Sequence, residues 1–81
     1  MISCNQYDYI EIVCMYHYPL SLTLKSGEVI TCKALDTKRN DNNEECIQVD
    51  IQGVQTLVLL DELSELSVLI ENPHFQVVSF S

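Results

Sequence analysis

Two stretches of strict alternation between apolar and polar residues constrain this chain more than anything else in it. Leu20, Leu22 and Leu24 alternate with Ser21, Thr23 and Lys25, and Ile47, Val49 and Ile51 alternate with Gln48, Asp50 and Gln52. Successive side chains of an extended chain point to opposite faces, so this spacing marks strands with one buried face. Ser26-Gly27 follows the first stretch as a tight-turn pair, and the returning strand puts Ile30, Cys32 and Ala34 on one face. Together these read as a hairpin. Gly53 turns the second stretch into VQTLVLL, where Leu57, Val58, Leu59 and Leu60 are consecutive. Either both faces of that strand are covered or one is an exposed apolar patch. If Leu57 and Leu59 face outward, they offer a self-association surface at a strand edge; if not, the helix covers them. Leu63 to Ile70 and Gln76 to Phe80 read as two further strands around an Asn72-Pro73 turn. Asp61-Glu62 is a short break.

The segment before the first strand has a different period. Ile10, Val13, Cys14 and His17 follow i, i+3, i+4, i+7 spacing, the mark of a helix with one apolar stripe. Ile12, Tyr9 and Tyr16 widen the stripe, and the polar side holds Tyr7, Asp8 and Glu11. Ser3 and Gln6 form an S-x-x-Q capping box, so the helix is expected over residues 5–17, with Pro19 ending it. The order is one helix followed by five or six short antiparallel strands. That is a mainly β (α+β) chain forming a small barrel or a strongly bent sheet against which the helix buries its stripe. At 81 residues the chain is read as a single domain spanning 1–81.

Charge narrows the function. Twelve acidic residues face four basic ones, for a formal net charge of −8. Such a surface repels nucleic acid and anionic membranes, and it steers the chain toward a basic protein. The start of the chain carries no basic region followed by an apolar stretch, and no apolar run approaches the about 20 residues that span a bilayer. A soluble, cytoplasmic protein is expected.

The chemistry-bearing residues form few constellations. None of the four cysteines sits at C-x-x-C spacing. On one helix, Cys4 and Cys14 would lie about 15 Å apart, too far to bridge. All four are expected as thiols. Cys14 and His17 fit a nucleophile and base or two metal ligands, but neither a third ligand nor an orienting acid accompanies them, so both are read as buried structural residues. Asp61, Glu62 and Glu65 lack any phosphate-binding or Asp-x-Asp pattern and read as a solvated turn. Tyr7, Asp8 and Glu11 are helical neighbours that put two carboxylates and a ring on one face. They are either an ordinary solvated face or a decoy for a surface that grips RNA with cations and stacking slots. Lys38, Arg39 and Asn40 lie on TKRNDNNEE, the longest expected loop, running from Thr37 to Glu45. With two cations they are a weak RNA footprint, and they serve equally well as donors to a protein.

The segment C-x-x-Y-D-x-I-E-I-x-C-x-x-H, comprising Cys4, Tyr7, Asp8, Ile10, Glu11, Ile12, Cys14 and His17, resembles the Rho-binding antiterminator (Rof) family. The hairpin LSLTLKSGE and the L-D-x-L at Leu60, Asp61 and Leu63 are similar to its pattern, and the resemblance runs over nearly the whole chain. It implies an Sm-like (Hfq-like) fold and a non-enzymatic protein, without cofactor or metal, that inhibits Rho-dependent transcription termination. Its implied partner is the N-terminal RNA-binding domain of Rho, an OB-type barrel that captures C-rich single-stranded RNA, and its implied effect is to block RNA loading. Carried over by motif, the contact residues are Tyr7, Asp8 and Glu11 on the helix and Lys38, Arg39 and Asn40 on the loop. Free protein is expected to be monomeric and not to bind nucleic acid directly. An Sm-like RNA-binding module is the alternative. Two departures stand out: Asn5 and Gln6 occupy positions where members often carry acids, and residues 41–45 look like an insertion after the basic trio.

Overall fold

The computed structural model describes residues 3–80. Helix α1 runs over Cys4–Met15 and is followed by strands β1 Pro19–Leu24, β2 Val29–Arg39, β3 Glu45–Ile51, β4 Val54–Leu59, β5 Leu63–Val68 and β6 Val77–Ser79. A single 3-10 turn, Leu60–Glu62, joins β4 to β5. All strand pairs are antiparallel, in the order β4-β3-β2-β1-β5-β6.

That order forces the sheet to curl. Strands β4 and β5 are four positions apart, about 19 Å in a flat sheet at the usual strand spacing. The three-residue turn between them covers only about 8 Å as a 3-10 helix. The sheet must therefore bend until its first and fifth strands come close, which gives the expected small, strongly bent β architecture. The ladder is not closed: among the described residues β4 and β6 are edges.

One core fills the bend. Leu20 and Leu22 of β1, Ile47 and Val49 of β3, Leu63 and Leu66 of β5 and Ile10 and Val13 of α1 are all fully buried. The helix thus buries its stripe on the sheet, packing mainly against β2. Its N-terminus has the expected capping box, with the Ser3 hydroxyl accepting from the Gln6 amide and the Gln6 side chain accepting from the Ser3 amide. The Gln6 Nε2 also donates to the Ser79 carbonyl at 3.0 Å, tying the helix to the edge strand β6.

The helix ends two residues before the expected limit. Tyr16 caps it and His17 takes φ 53°, so the chain reverses ahead of Pro19. His17 is consequently exposed, not buried on the stripe, and its Nδ1 lies 3.1 Å from the Ala34 carbonyl. Cys14 is buried as expected.

The larger departure is in β2. Alternation buries Cys32 and Ala34, then a bulge between Ala34 and Asp36 shifts the register by one. An extra residue in one strand changes which parity faces inward. Beyond the bulge Thr37 is half-buried while Asp36, Lys38 and Arg39 face solvent. The strand continues to Arg39, so the expected nine-residue loop shrinks to a turn at 40–44. Lys38 and Arg39 are strand residues, and only Asn40 of the basic trio lies in the turn. On β4, Val58 points into the core and Leu57 is exposed, with Leu59 half-buried.

Candidate functional site

Helix α1 and the outer half of β2 form the walls of a groove. One compartment, of about 260 Å³, is lined by Tyr7, Thr37, Lys38, Arg39 and Glu45. The next, of about 230 Å³, is lined by Glu11, Cys14, Met15, Asp36 and Thr37. Thr37 belongs to both, and Tyr7 and Glu11 are one helical turn apart on the opposite wall. The fold therefore brings Tyr7, Lys38 and Arg39 together, with Glu11 immediately alongside. Asp8 is exposed on the helix beside Tyr7 but lines neither compartment. Asn40 sits at the corner of the adjoining turn.

The cations differ in their commitments. Arg39 donates from Nη1 to the Asn43 carbonyl at 2.8 Å and from Nη2 to Glu45 Oε1 at 3.2 Å. Arg39 and Glu45 face each other across the β2–β3 ladder, so strand register itself sets this pair. It is exposed and contributes little to stability, about 0–1 kcal/mol. Lys38 is exposed and has no ion pair among the described residues. Asn40 is engaged through both polar atoms of its side chain. Its Oδ1 accepts from the Asn42 and Glu44 amides at 2.9 and 3.0 Å, and its Nδ2 donates to Glu44 Oε1 at 3.0 Å.

Sequence reasoning placed Tyr7, Asp8 and Glu11 on one helix face but missed Asp36, Thr37, Glu45 and Met15, the rest of the groove. Thr37 is the one β-branched residue of β2 after Ala34 that hints that the strand continues. The bulge at Leu35 breaks the alternation that would have revealed it. Met15 is an exposed large apolar residue at the groove rim.

The cysteines have no reactive character where burial acts on them. Burial first, then the carboxylates of Asp36 and Glu11, pushes the Cys14 thiol up to about 12. Burial pushes Cys32 up to about 11, and Cys46 is also raised, chiefly by burial. Thiols held this high stay protonated near neutral pH and are poor nucleophiles. No group of three or more His, Cys, Asp or Glu suited to a metal ion occurs among the described residues. Among the described residues no helix is long and apolar enough to cross a membrane.

These features define a class: a small acidic protein whose N-terminal helix and bent antiparallel sheet present a charged groove. Comparisons with known proteins specify it further. The family model described as "Modulator of Rho-dependent transcription termination (ROF)" matches residues 1–80, and the chain belongs to that family. It is 35% identical over 66 residues to Protein rof of Escherichia coli (strain K12), covering 82% of this chain and 77% of that protein. The same figures hold for Protein rof of Shigella flexneri. A solved structure described as YaeO bound to Magnesium from Vibrio cholerae O395 is 46% identical, with a TM-score of 0.88 over 94% of this chain and 99% of that one. Family and fold thus agree with the expectation from the sequence: an N-terminal helix on a bent antiparallel sheet, in a family of termination modulators.

Proposed function

We propose that this protein inhibits Rho-dependent termination by occupying the RNA-binding domain of Rho and keeping RNA from loading. The observation that carries this is the outer face of α1, where Asp8 and Glu11 are both exposed beside the groove and the helix has no basic residue in its last turn. Carboxylates held there take the place of RNA phosphates opposite cationic side chains. Tyr7 is half-buried at the groove and supplies a ring edge or hydroxyl. A formal charge of −8 steers the encounter with such a basic surface.

The groove also argues for a protein over RNA as the ligand. It has an acid at Glu11, with Asp8 exposed on the helix beside it, and a cation at Lys38 without an ion pair among the described residues, a two-sign pattern that a protein surface can match. RNA presents only anions to a chain this acidic. In this reading the protein acts in the cytoplasm, as a monomer before it meets Rho, with no catalytic step and no cofactor. Lys38, Arg39 and Asn40 form the second edge of the contact.

Each well-aligned, charge-assisted hydrogen bond contributes about 1.5–3 kcal/mol, and reversing a charge adds repulsion to its loss. Asp8→Lys is expected to weaken binding to isolated Rho RNA-binding domain by at least about 100-fold and to abolish antitermination. Because Asp8 is exposed, the unfolding free energy should move by less than about 0.5 kcal/mol. An unchanged affinity in titration calorimetry, with the fold intact, would remove Asp8 from the interface and with it the central part of this reading.

A further inference from the structure

The basic trio beside the groove does not act as three equivalent contacts. We infer that Lys38 is the group that touches the partner, where it recognises an anionic or carbonyl acceptor, and that Asn40 and Arg39 are positioning residues that hold it beside Tyr7. This rests on the reading above that the groove is the Rho-binding site, and it adds a division of labour that residue type alone does not reveal.

The side chains of the trio differ in what already holds them. The five-residue turn 40–44 contains no glycine or proline, yet it must reverse the chain between two paired strands. A short turn usually relies on glycine for positive φ. Here only Asn43 takes positive φ, 62°, a conformation Asn tolerates. The Asn40 side chain supplies the remaining closure by accepting two main-chain amides two and four residues on and donating to Glu44. The Asn40 amide also donates to the Glu44 carbonyl at 3.1 Å, and the Asn43 amide donates to the Asn40 carbonyl at 2.9 Å. Oδ1 thus has both its acceptor sites filled, and one N–H of Nδ2 is engaged. A partner drawing on that oxygen would have to break the turn.

Arg39 is similarly committed, one arm to the Asn43 carbonyl and the other to Glu45. Its two bonds clamp the turn to the first residue of β3 and neutralise Glu45 at the groove wall. Between Arg39 and Thr37, Lys38 lines the same compartment and has no ion pair among the described residues. Tyr7 lines that compartment from the helix. An ammonium without an ion pair among the described residues, next in sequence to a guanidinium that is already paired, suits a partner carboxylate or main-chain carbonyl. It does not suit a second cation.

The test separates contact from positioning by reversing one hydrogen bond. Asn40→Ala removes all three side-chain bonds. The double variant Asn40→Asp with Glu44→Gln keeps both acceptor bonds to the main chain and exchanges donor for acceptor in the third. Affinity for the Rho RNA-binding domain is measured by calorimetry, and order in the turn by amide hydrogen exchange at Asn42 and Glu44. Asn40→Ala is expected to speed exchange at both amides and weaken binding about fivefold, while the double variant restores both to within about twofold of the parent. Lys38→Ala should weaken binding about tenfold with exchange unchanged. Loss of affinity in the double variant equal to that of Asn40→Ala, with the turn amides still protected, makes the Asn40 amide a direct contact and overturns the inference. So does a Lys38→Ala variant that binds like the parent while Asp8→Lys does not bind. If Asp8→Lys and Lys38→Ala both bind like the parent, the groove itself is not the Rho site, and that is the failure of the underlying reading.

Discussion

The inward and outward faces of helix α1 lie within a single 12-residue element and have opposite chemistry. Inward, Ile10 and Val13 are fully buried and Cys14 nearly so, and the thiol of Cys14 is pushed up to about 12 by the dry surroundings and the two carboxylates nearby. Outward, Asp8 and Glu11 are solvated and Met15 is 69% exposed. The element that completes the core also carries the surface proposed for recognition. Stability and binding can be altered one residue apart, and the experiments that follow exploit that separation.

The largest effect on stability belongs to the inward face. Ile10→Ala should cost about 3 kcal/mol in urea unfolding, from lost burial and the cavity left behind. For a chain of 81 residues that is a sizeable part of the total. A cost below about 1 kcal/mol would mean that the helix is only loosely docked. The outward face should show the reverse. Glu11→Gln removes one carboxylate from the groove and should weaken Rho binding by about tenfold, with an unfolding free energy within about 0.5 kcal/mol of the parent. If instead it destabilises the fold, Glu11 is structural and the two faces are not separable.

The cap joins the two faces. Ser3→Ala removes the capping bond and should cost about 1 kcal/mol of stability, with binding following only through fraying of the first turn, which leads into Tyr7 and Asp8. The mildest effect in the accessible range comes with pH. The Cys14 thiol ionises near 9.0 in its ordinary state and near 12 when folded. Above pH 9 the unfolded chain therefore releases a proton that the folded chain retains, and stability declines as pH rises through that window. Cys14→Ala should flatten part of that decline, with the raised thiol of Cys32 accounting for a further part. A slope identical in the two proteins would contradict the burial of Cys14.

Much of this architecture was legible in residue order. The Ser3–Gln6 capping box, the alternation through Leu20 and Leu22 and the turns at Gly27 and Gly53 all behave as their local chemistry dictates, and both glycines adopt positive φ, at 97° and 88°. Three features were hidden because nonlocal geometry decides them. The bulge after Ala34 reverses the inward parity of β2, so Thr37 to Arg39 read as loop when they are strand. The chain reversal before Pro19 moves His17 off the helix stripe. The groove itself joins residues about 30 positions apart, and side-chain spacing along one element cannot show what faces it across a cavity. For the site, the helix trio was readable from i, i+3 and i+4 spacing. The differing commitments of Lys38, Arg39 and Asn40 depend on the register that sets Arg39 opposite Glu45.

The central claim is mutual exclusion between this protein and RNA on Rho, and equilibrium competition measures it directly. Labelled protein bound to the isolated RNA-binding domain is titrated with a C-rich single-stranded oligonucleotide at fixed salt. Complete displacement is expected, with the apparent Kd of the protein rising linearly with free oligonucleotide. A ternary complex in which both ligands are held at their separate affinities would contradict it.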